Sequence, residues 1–268
     1  MDSQVRMRVR TGPSFQGRLT LGATRIMLFN YLAARASGGS LIIRTEDTDQ
    51  LRFRPDLVEP YFADIDWLGI DFDEGGPRGG AYAPYEQSAR LPSYSLAARD
   101  LVKLGVEYHC FCSTSCLATM REGQRRNGQP VGYDGRCSRL SARESGQRLD
   151  QGDVAVVRLR FAGHTHETAF TDLVYGESSD VAESTDPVLL KSDGFPTYHL
   201  SSVVDDHAME ITHVIRANAW RSSTPKHVLM YHAFGWQLPA FAHLPILSER
   251  ANLIVAALRE SGVPAAQS

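Results

Sequence analysis

Little in this chain would take it out of water. It has no run of about 18 apolar residues, which excludes a helical membrane span. Its first ten residues carry charges and no apolar stretch, so no secretory leader is visible and a cytoplasmic location is expected. Cationic excess is missing too. The 28 Lys and Arg stand against 31 Asp and Glu, for a formal charge of −3. That excludes a global field that would draw in DNA and leaves room only for a local basic patch. There is no internal repeat and no low-complexity run, which argues against solenoid and disordered classes. Cysteine is scarce: four residues (Cys110, Cys112, Cys116 and Cys137), all between positions 110 and 137. In a cytosolic chain that clustering suggests a metal more than disulfides.

What remains is ordinary and large enough for a full core: 268 residues, 43% hydrophobic and 22% charged, in one large domain or two small ones. The first thirty residues organise the rest. A strand around Val9 leads into a loop of Thr11, Gly12, Pro13, Ser14 and Gly17. A helix follows with Ile26, Leu28, Phe29, Leu32 and Ala33 at helical spacing, stopped by Ser37-Gly38-Gly39. A nucleotide-binding α/β sheet begins this way, because the helix N-terminus offers free N–H groups to an anion. The apolar strand Leu41-Ile42-Ile43 runs into Arg44-Thr45-Glu46-Asp47-Thr48-Asp49. Helices are expected at 55–68, 89–104, 117–126, 198–207 and 224–234, and strands at 154–161, 169–173, 188–190 and 211–215. Residues 85–186 read as a mixed α+β insertion, with the main sheet resuming at Val188-Leu189-Leu190.

The segments RVRTGPSFQGRLTLGATR, GGSLIIRTEDTD, WLGIDFDEG, PYEQSARLPSY, YHCFC, GYDGRC, VLLKSDGFPTYHLSSVVDDH, ITHVIR and FAHLP follow one another in an informative order. Together they resemble the catalytic domain of glutamyl-tRNA synthetase, a class I aminoacyl-tRNA synthetase, nearly from end to end. The resemblance implies an α/β, Rossmann-like catalytic domain with an inserted α+β acceptor-end domain and no anticodon-binding domain. Residues 1–84 would be the first half of the catalytic domain, 85–186 the insertion, 187–250 the second half and 251–268 a short C-terminal segment. The implied partners are glutamate and a tRNA acceptor end, with ATP and Mg²⁺ as the family's cofactors. No membrane or DNA partner is implied.

Carried over by that resemblance, the glutamate site is Arg10, Ser14, Glu46, Tyr198, Ser202 and Arg216. Arg10 and Arg216 would hold the two carboxylates, since a planar guanidinium makes paired, charge-assisted hydrogen bonds. Glu46 would take the ammonium and Tyr198 a side-chain oxygen. Ser202 stands where the family often has asparagine. The alternative is that these residues are strand-end ion pairs ordering the core. Asp205 and Asp206 read equally as supports of the site or as a helix end.

The adenylation motifs depart from the family. Adenylate formation relies on positive charge aimed at phosphate oxygens. The HIGH motif reads Thr20-Leu21-Gly22-Ala23, so Thr20 replaces a histidine and Gly22 remains. The acidic segment after the pocket arginine reads Ala217-Asn218-Ala219, followed by Trp220, which could stack on adenine or pack. The KMSKS motif aligns with 246–250, placing Ile246 and Glu249 where the family has lysines, beside Ser248. Thr20, Gly22 and Trp220 are the candidate nucleotide contacts. Thr20, Ser248 and Glu249 are the degenerate catalytic positions, with Ser14 at the pocket mouth a further candidate.

Cys110-Phe111-Cys112 and Cys137 match the family's zinc pattern, except that Arg139 replaces its histidine. Tyr133 or Cys116 would complete a closed, structural Zn²⁺ site. Three readings result. One is a glutamyl-tRNA synthetase-like protein that binds glutamate, with ATP-dependent aminoacylation impaired. Another is a transferase that takes glutamate from ready-made glutamyl-tRNA. The third is a non-catalytic binder of glutamate or tRNA.

Overall fold

The computed structural model describes residues 5–161, 168–178 and 185–246. The chain opens with β1 (Arg8–Thr11), α1 (Leu21–Ser37), β2 (Ser40–Ile43), α2 (Val58–Trp67) and β3 (Glu74–Gly75). Its middle holds α3 (Leu91–Lys103), β4 (Glu107–Cys110), α4 (Thr114–Arg126), α5 (Ala142–Asp150), β5 (Val156–Leu159), β6 (Phe170–Asp172) and β7 (Gly176–Ser178). It closes with β8 (Val188–Leu190), α6 (Tyr198–Ala208), β9 (His213–Ala217), α7 (Thr224–Phe234) and β10 (Ala240–Leu244).

Val9, Leu41, Ile42 and Ile43 are wholly buried. Strands covered on both faces form parallel sheets, and β1, β2 and β3 pair in parallel, with Val9 opposite Leu41 and Ile43 opposite Gly75. Gly75 has no substitute there, because a Cβ would sit 1.9 Å from the Ile43 carbonyl oxygen, at φ 100°. A second sheet has the order β7-β6-β10-β9, with β10 parallel to both β9 and β6. The two sheets abut along β1 and β9, where the Thr212 N–H donates to the Arg8 carbonyl at 2.9 Å. Val9, Met27, Leu41, Ile65, Ile215 and Leu244 share one core across that junction.

Two sequence expectations change, and one helix was not expected. The strand expected to resume the parallel sheet, β8, instead edges a separate antiparallel sheet of order β4-β5-β8. That sheet packs through Leu159 and Leu189 on α3, α6 and α7. On α1, Leu28, Phe29 and Leu32 face outward, and Met27, Asn30 and Ala34 are the buried residues. Apolar residues occupy both sides of this helix, so spacing alone left its phase open. Asn30 fits the seam because its amide donates to the Ile26 and Ile215 carbonyls. Helix α5 was passed over, although Ser141 and Glu144 form a capping box there.

On β4, Glu107 is 2% exposed, and neither carboxylate oxygen has a hydrogen-bond partner among the described residues. Burial pushes its carboxyl well above the usual range. Glu107→Leu is therefore expected to stabilise the protein. It removes an unsatisfied buried group worth about 1–3 kcal/mol, which shifts the melting temperature by roughly 2–4 °C per kcal/mol at this size. A thermal melt at pH 7 checks it, and a lower melting temperature in the variant counts against this account.

Candidate functional site

The loop after β1, the end of β2, the start of α6 and the end of β9 enclose a cavity of about 960 Å³. Arg10, Ser14, Glu46, Tyr198, Arg216 and Trp220 are on its wall. Gly12 lets the Glu46 side chain lie against the loop, since a Cβ there would meet Glu46 Oε1 at 2.2 Å. Arg10 and Arg216 with Glu46 give two cations and one anion, the charge inverse of an amino dicarboxylate. Ser202 is not on the wall. It lies beneath, fully buried, donating to Asp206 Oδ2 at 3.4 Å.

Below the cavity is a buried ion network. Arg10 grips Asp206 with two donors (Nε at 2.9 Å and Nη2 at 3.1 Å). Arg44, wholly buried, donates to Asp206 at 2.7 Å and to Glu46 at 2.9 Å. Arg90, Gln87 and Tyr94 all donate to Asp205. Asp205 and Asp206 are thus anchors of the arginines. Burial raises the Asp206 carboxyl, but the charges of Arg10 and Arg44 outweigh it and hold it below the ordinary value. For Glu46, burial wins over Arg44 and Arg10, and its carboxyl is raised.

Arg216 is 4% exposed and held on three sides. Its Nε donates to His243 Nε2 at 2.9 Å, Nη1 to the Tyr198 hydroxyl at 2.8 Å and Nη2 to Thr224 Oγ1 at 2.8 Å. Register explains the neighbourhood, because Arg216 on β9 is the ladder partner of His243 on β10. On the far side, His243 Nδ1 lies 2.5 Å from Asp172 Oδ2 on β6. Burial, reinforced by the charge of Arg216 and opposed by Asp172, lowers the His243 pKa to about 4. The ring is therefore neutral near pH 7. Asp172, His243 and Thr224 were not read as site residues; the available signal was a polar pair embedded in the apolar strands FTDL and AFAHL.

The nucleotide side is thinner in charge. Thr20 caps α1, its hydroxyl accepting from the Ala23 N–H at 3.2 Å, and it borders the cavity. Gly22 lies in the first turn of α1, off the wall. Trp220 lines the cavity and packs on the Tyr198 ring at 4.3 Å between centroids. Ile246 is 75% exposed. Ser248 and Glu249 lie outside the described residues.

Away from the cavity, Cys110, Cys112 and Cys137 bring their sulfurs within 4.8 Å of one another. The Tyr133 hydroxyl is 3.3 Å from Cys110 Sγ. Cys116 is outside this group and accepts from Arg136 at 3.3 Å. Burial, followed by the neighbouring thiols, pushes Cys112 up to about 12, while at Cys110 burial is outweighed by hydrogen bonds from Tyr133 and the Cys112 backbone and the thiol is lowered. The donor set fits one metal ion.

Parallel strands whose ends carry such a cavity define a Rossmann-like α/β domain. The family model for "tRNA synthetases class I (E and Q), catalytic domain" matches residues 6–256, and the chain belongs to that family. It is 45% identical over 245 residues to a glutamate–tRNA ligase of Treponema denticola, covering 91% of this chain and 48% of that one. A glutamate–tRNA ligase of Dehalococcoides mccartyi is 49% identical over 242 residues, at 90% and 48% coverage. The chain therefore spans about half the length of the curated relatives it matches. Among solved structures, the glutamate–tRNA synthetase of Elizabethkingia anophelis superposes with a TM-score of 0.83 at 34% identity, covering 93% of this chain and 54% of that one. A glutamate tRNA ligase of Elizabethkingia meningosepticum, described in complex with its amino acid, also gives 0.83 at 34% identity, at 92% and 52% coverage. Among the described residues no helix is long and apolar enough to cross a membrane.

Proposed function

We propose that this chain is a glutamyl-tRNA synthetase-like protein of the cytoplasm that binds glutamate and has impaired ATP-dependent activation. The observation that carries the reading is the wall itself: Arg10, Arg216 and Glu46 line one cavity. Arg216 and Arg10 take the carboxylates, Glu46 the ammonium and Tyr198 a side-chain oxygen, with Ser14 at the mouth. Impairment is supported by Thr20, whose hydroxyl is engaged as a helix cap and carries no charge. Glu249 adds an anion where the family has a lysine. Within 85–186, the part around β4, α4, α5 and β5 is what meets the tRNA acceptor end in this reading, since β6 and β7 belong to the sheet of β10 and β9.

ATP–pyrophosphate exchange tests this, run with glutamate and Mg²⁺, with and without tRNA, beside a glutamate–tRNA ligase. Losing one such donor costs about 100- to 1000-fold. Exchange at least roughly 1000-fold below the comparison enzyme, together with glutamate binding by calorimetry, is the expected pair of results. Full exchange removes the impairment, and absent binding removes the glutamate site. Consumption of supplied glutamyl-tRNA would favour the transferase reading.

Cys110, Cys112 and Cys137, completed by Tyr133, hold a structural zinc ion that orders the surrounding segment and supplies no chemistry at the cavity. Protein purified under reducing conditions is expected to carry one zinc per chain. Tyr133→Phe is expected to weaken zinc retention in a chelator titration by about tenfold, in the range seen when groups around a metal are altered. Metal-free, fully folded protein would defeat this assignment.

A further inference from the structure

We infer that Asp172 and His243 form a positioning relay that fixes the orientation of the Arg216 guanidinium in the cavity. The argument begins with protons. Arg216 Nε–H can only donate, and it faces His243 Nε2 at 2.9 Å. His243 Nε2 must then be the bare acceptor, so the ring proton is on Nδ1 and points at Asp172 Oδ2, 2.5 Å away. Thr224 is compatible with this assignment. Its oxygen accepts from Arg216 Nη2, which leaves its own hydrogen free to donate to His243 Nε2 at 3.2 Å.

Asp172 is itself locked. Its Oδ1 accepts the backbone N–H groups of Val174 at 2.9 Å, Tyr175 at 3.1 Å and His243 at 3.4 Å. Only Oδ2 is left for the ring. All three members are buried: Asp172 is 1% exposed, His243 0% and Arg216 4%. Water therefore does not replace a lost partner at the Asp172–His243 contact, which lies behind the cavity wall. The three strands set the row, since β9 pairs Arg216 with His243 and β10 pairs Phe241 with Asp172. Two further hydrogen bonds, to Tyr198 and Thr224, leave each terminal nitrogen of Arg216 one free N–H for a ligand. The functional consequence rests on the glutamate reading of the cavity; the relay itself does not.

The decisive variant is Asp172→Asn. The three backbone N–H groups hold the amide oxygen at the Oδ1 place, so the NH₂ takes the Oδ2 place and faces His243 Nδ1. The ring must accept there and move its proton to Nε2, where it meets Arg216 Nε–H, donor against donor. A carboxylate that sets a histidine tautomer is known to matter for geometry-dependent function. In ¹⁵N-resolved NMR of the unliganded wild type, His243 is expected to be the Nδ1–H tautomer and the Arg216 Nε–H to exchange slowly. Asp172→Asn is expected to give the Nε2–H tautomer, fast Arg216 Nε–H exchange and a glutamate Kd raised 10- to 100-fold, with the fold retained.

A wild-type ring protonated at Nε2 would overturn the relay, with no variant needed. So would a folded Asp172→Asn protein that keeps the wild-type tautomer and a Kd within twofold. If the tautomer and exchange change as expected and neither protein binds glutamate, the relay stands and the glutamate reading falls.

Discussion

Arg216→Ala is expected to raise the glutamate Kd by about 30-fold or more in calorimetric titration. Truncating one partner of a buried, hydrogen-bonded charge pair typically costs about 2–5 kcal/mol, and about 2 kcal/mol is 30-fold. Arg216 meets that description, being 4% exposed on the cavity wall with its orientation fixed by His243, Tyr198 and Thr224. Arg216→Lys separates charge from shape. Lysine keeps the cation but loses the planar fork that His243 and Thr224 grip. It is expected to fall between wild type and alanine. A Kd within threefold of wild type for Arg216→Ala, in a protein that melts normally, would show that glutamate binds elsewhere or not at all.

The second large effect concerns stability. Asp206→Ala is expected to cost about 3–5 kcal/mol, the range for breaking a buried pair and stranding its partner. Here two arginines lose a partner, since Arg10 and Arg44 both donate to Asp206 and are 5% and 0% exposed; Arg44 keeps its bond to Glu46, and Arg10 is the one stranded. At this chain length that corresponds to a fall of roughly 6–20 °C in melting temperature. Denaturant unfolding of wild type and variant measures it directly. A loss under 1 kcal/mol would mean that the two arginines find other partners. The pH sign follows from the same contacts. The Asp206 carboxyl is held below its ordinary value, first against burial and then by Arg10 and Arg44. Its contribution is thus complete above the unfolded value of about 3.9 and is lost as pH falls through the folded value.

Much of the cavity was legible because its residues sit where strands end and loops begin. Arg10 stands one residue before the end of β1 and Glu46 three residues past the end of the apolar β2, and Gly12 breaks the pattern between them. The cysteine cluster was legible from the crowding of four cysteines and the family's zinc pattern, and the fold leaves Cys116 out of the group while Cys110 and Cys112 leave one strand end together. What escaped were choices made across the chain. Asp172 reads as one polar residue in a short strand, and only the pairing of β6 with β10 sets it beside His243. The side of α1 that faces the core was settled by Asn30 reaching a β9 carbonyl, a contact 185 positions away. The membership of β8 followed from register with β5, which no local pattern encodes.

The ion network below the cavity has a consequence for how the molecule assembles. Arg10 and Arg44 lie in the opening segment, and their shared carboxylate arrives 196 and 162 residues later. A loop that long closes late, because its entropy must be overcome before the contact returns anything. Until α6 docks, the opening strands hold two cations with no counter-charge from Asp206. The cavity is therefore a seam between the two ends of the chain. A ligand held there ties those ends together, so amino-acid occupancy would report completed folding as directly as it reports recognition.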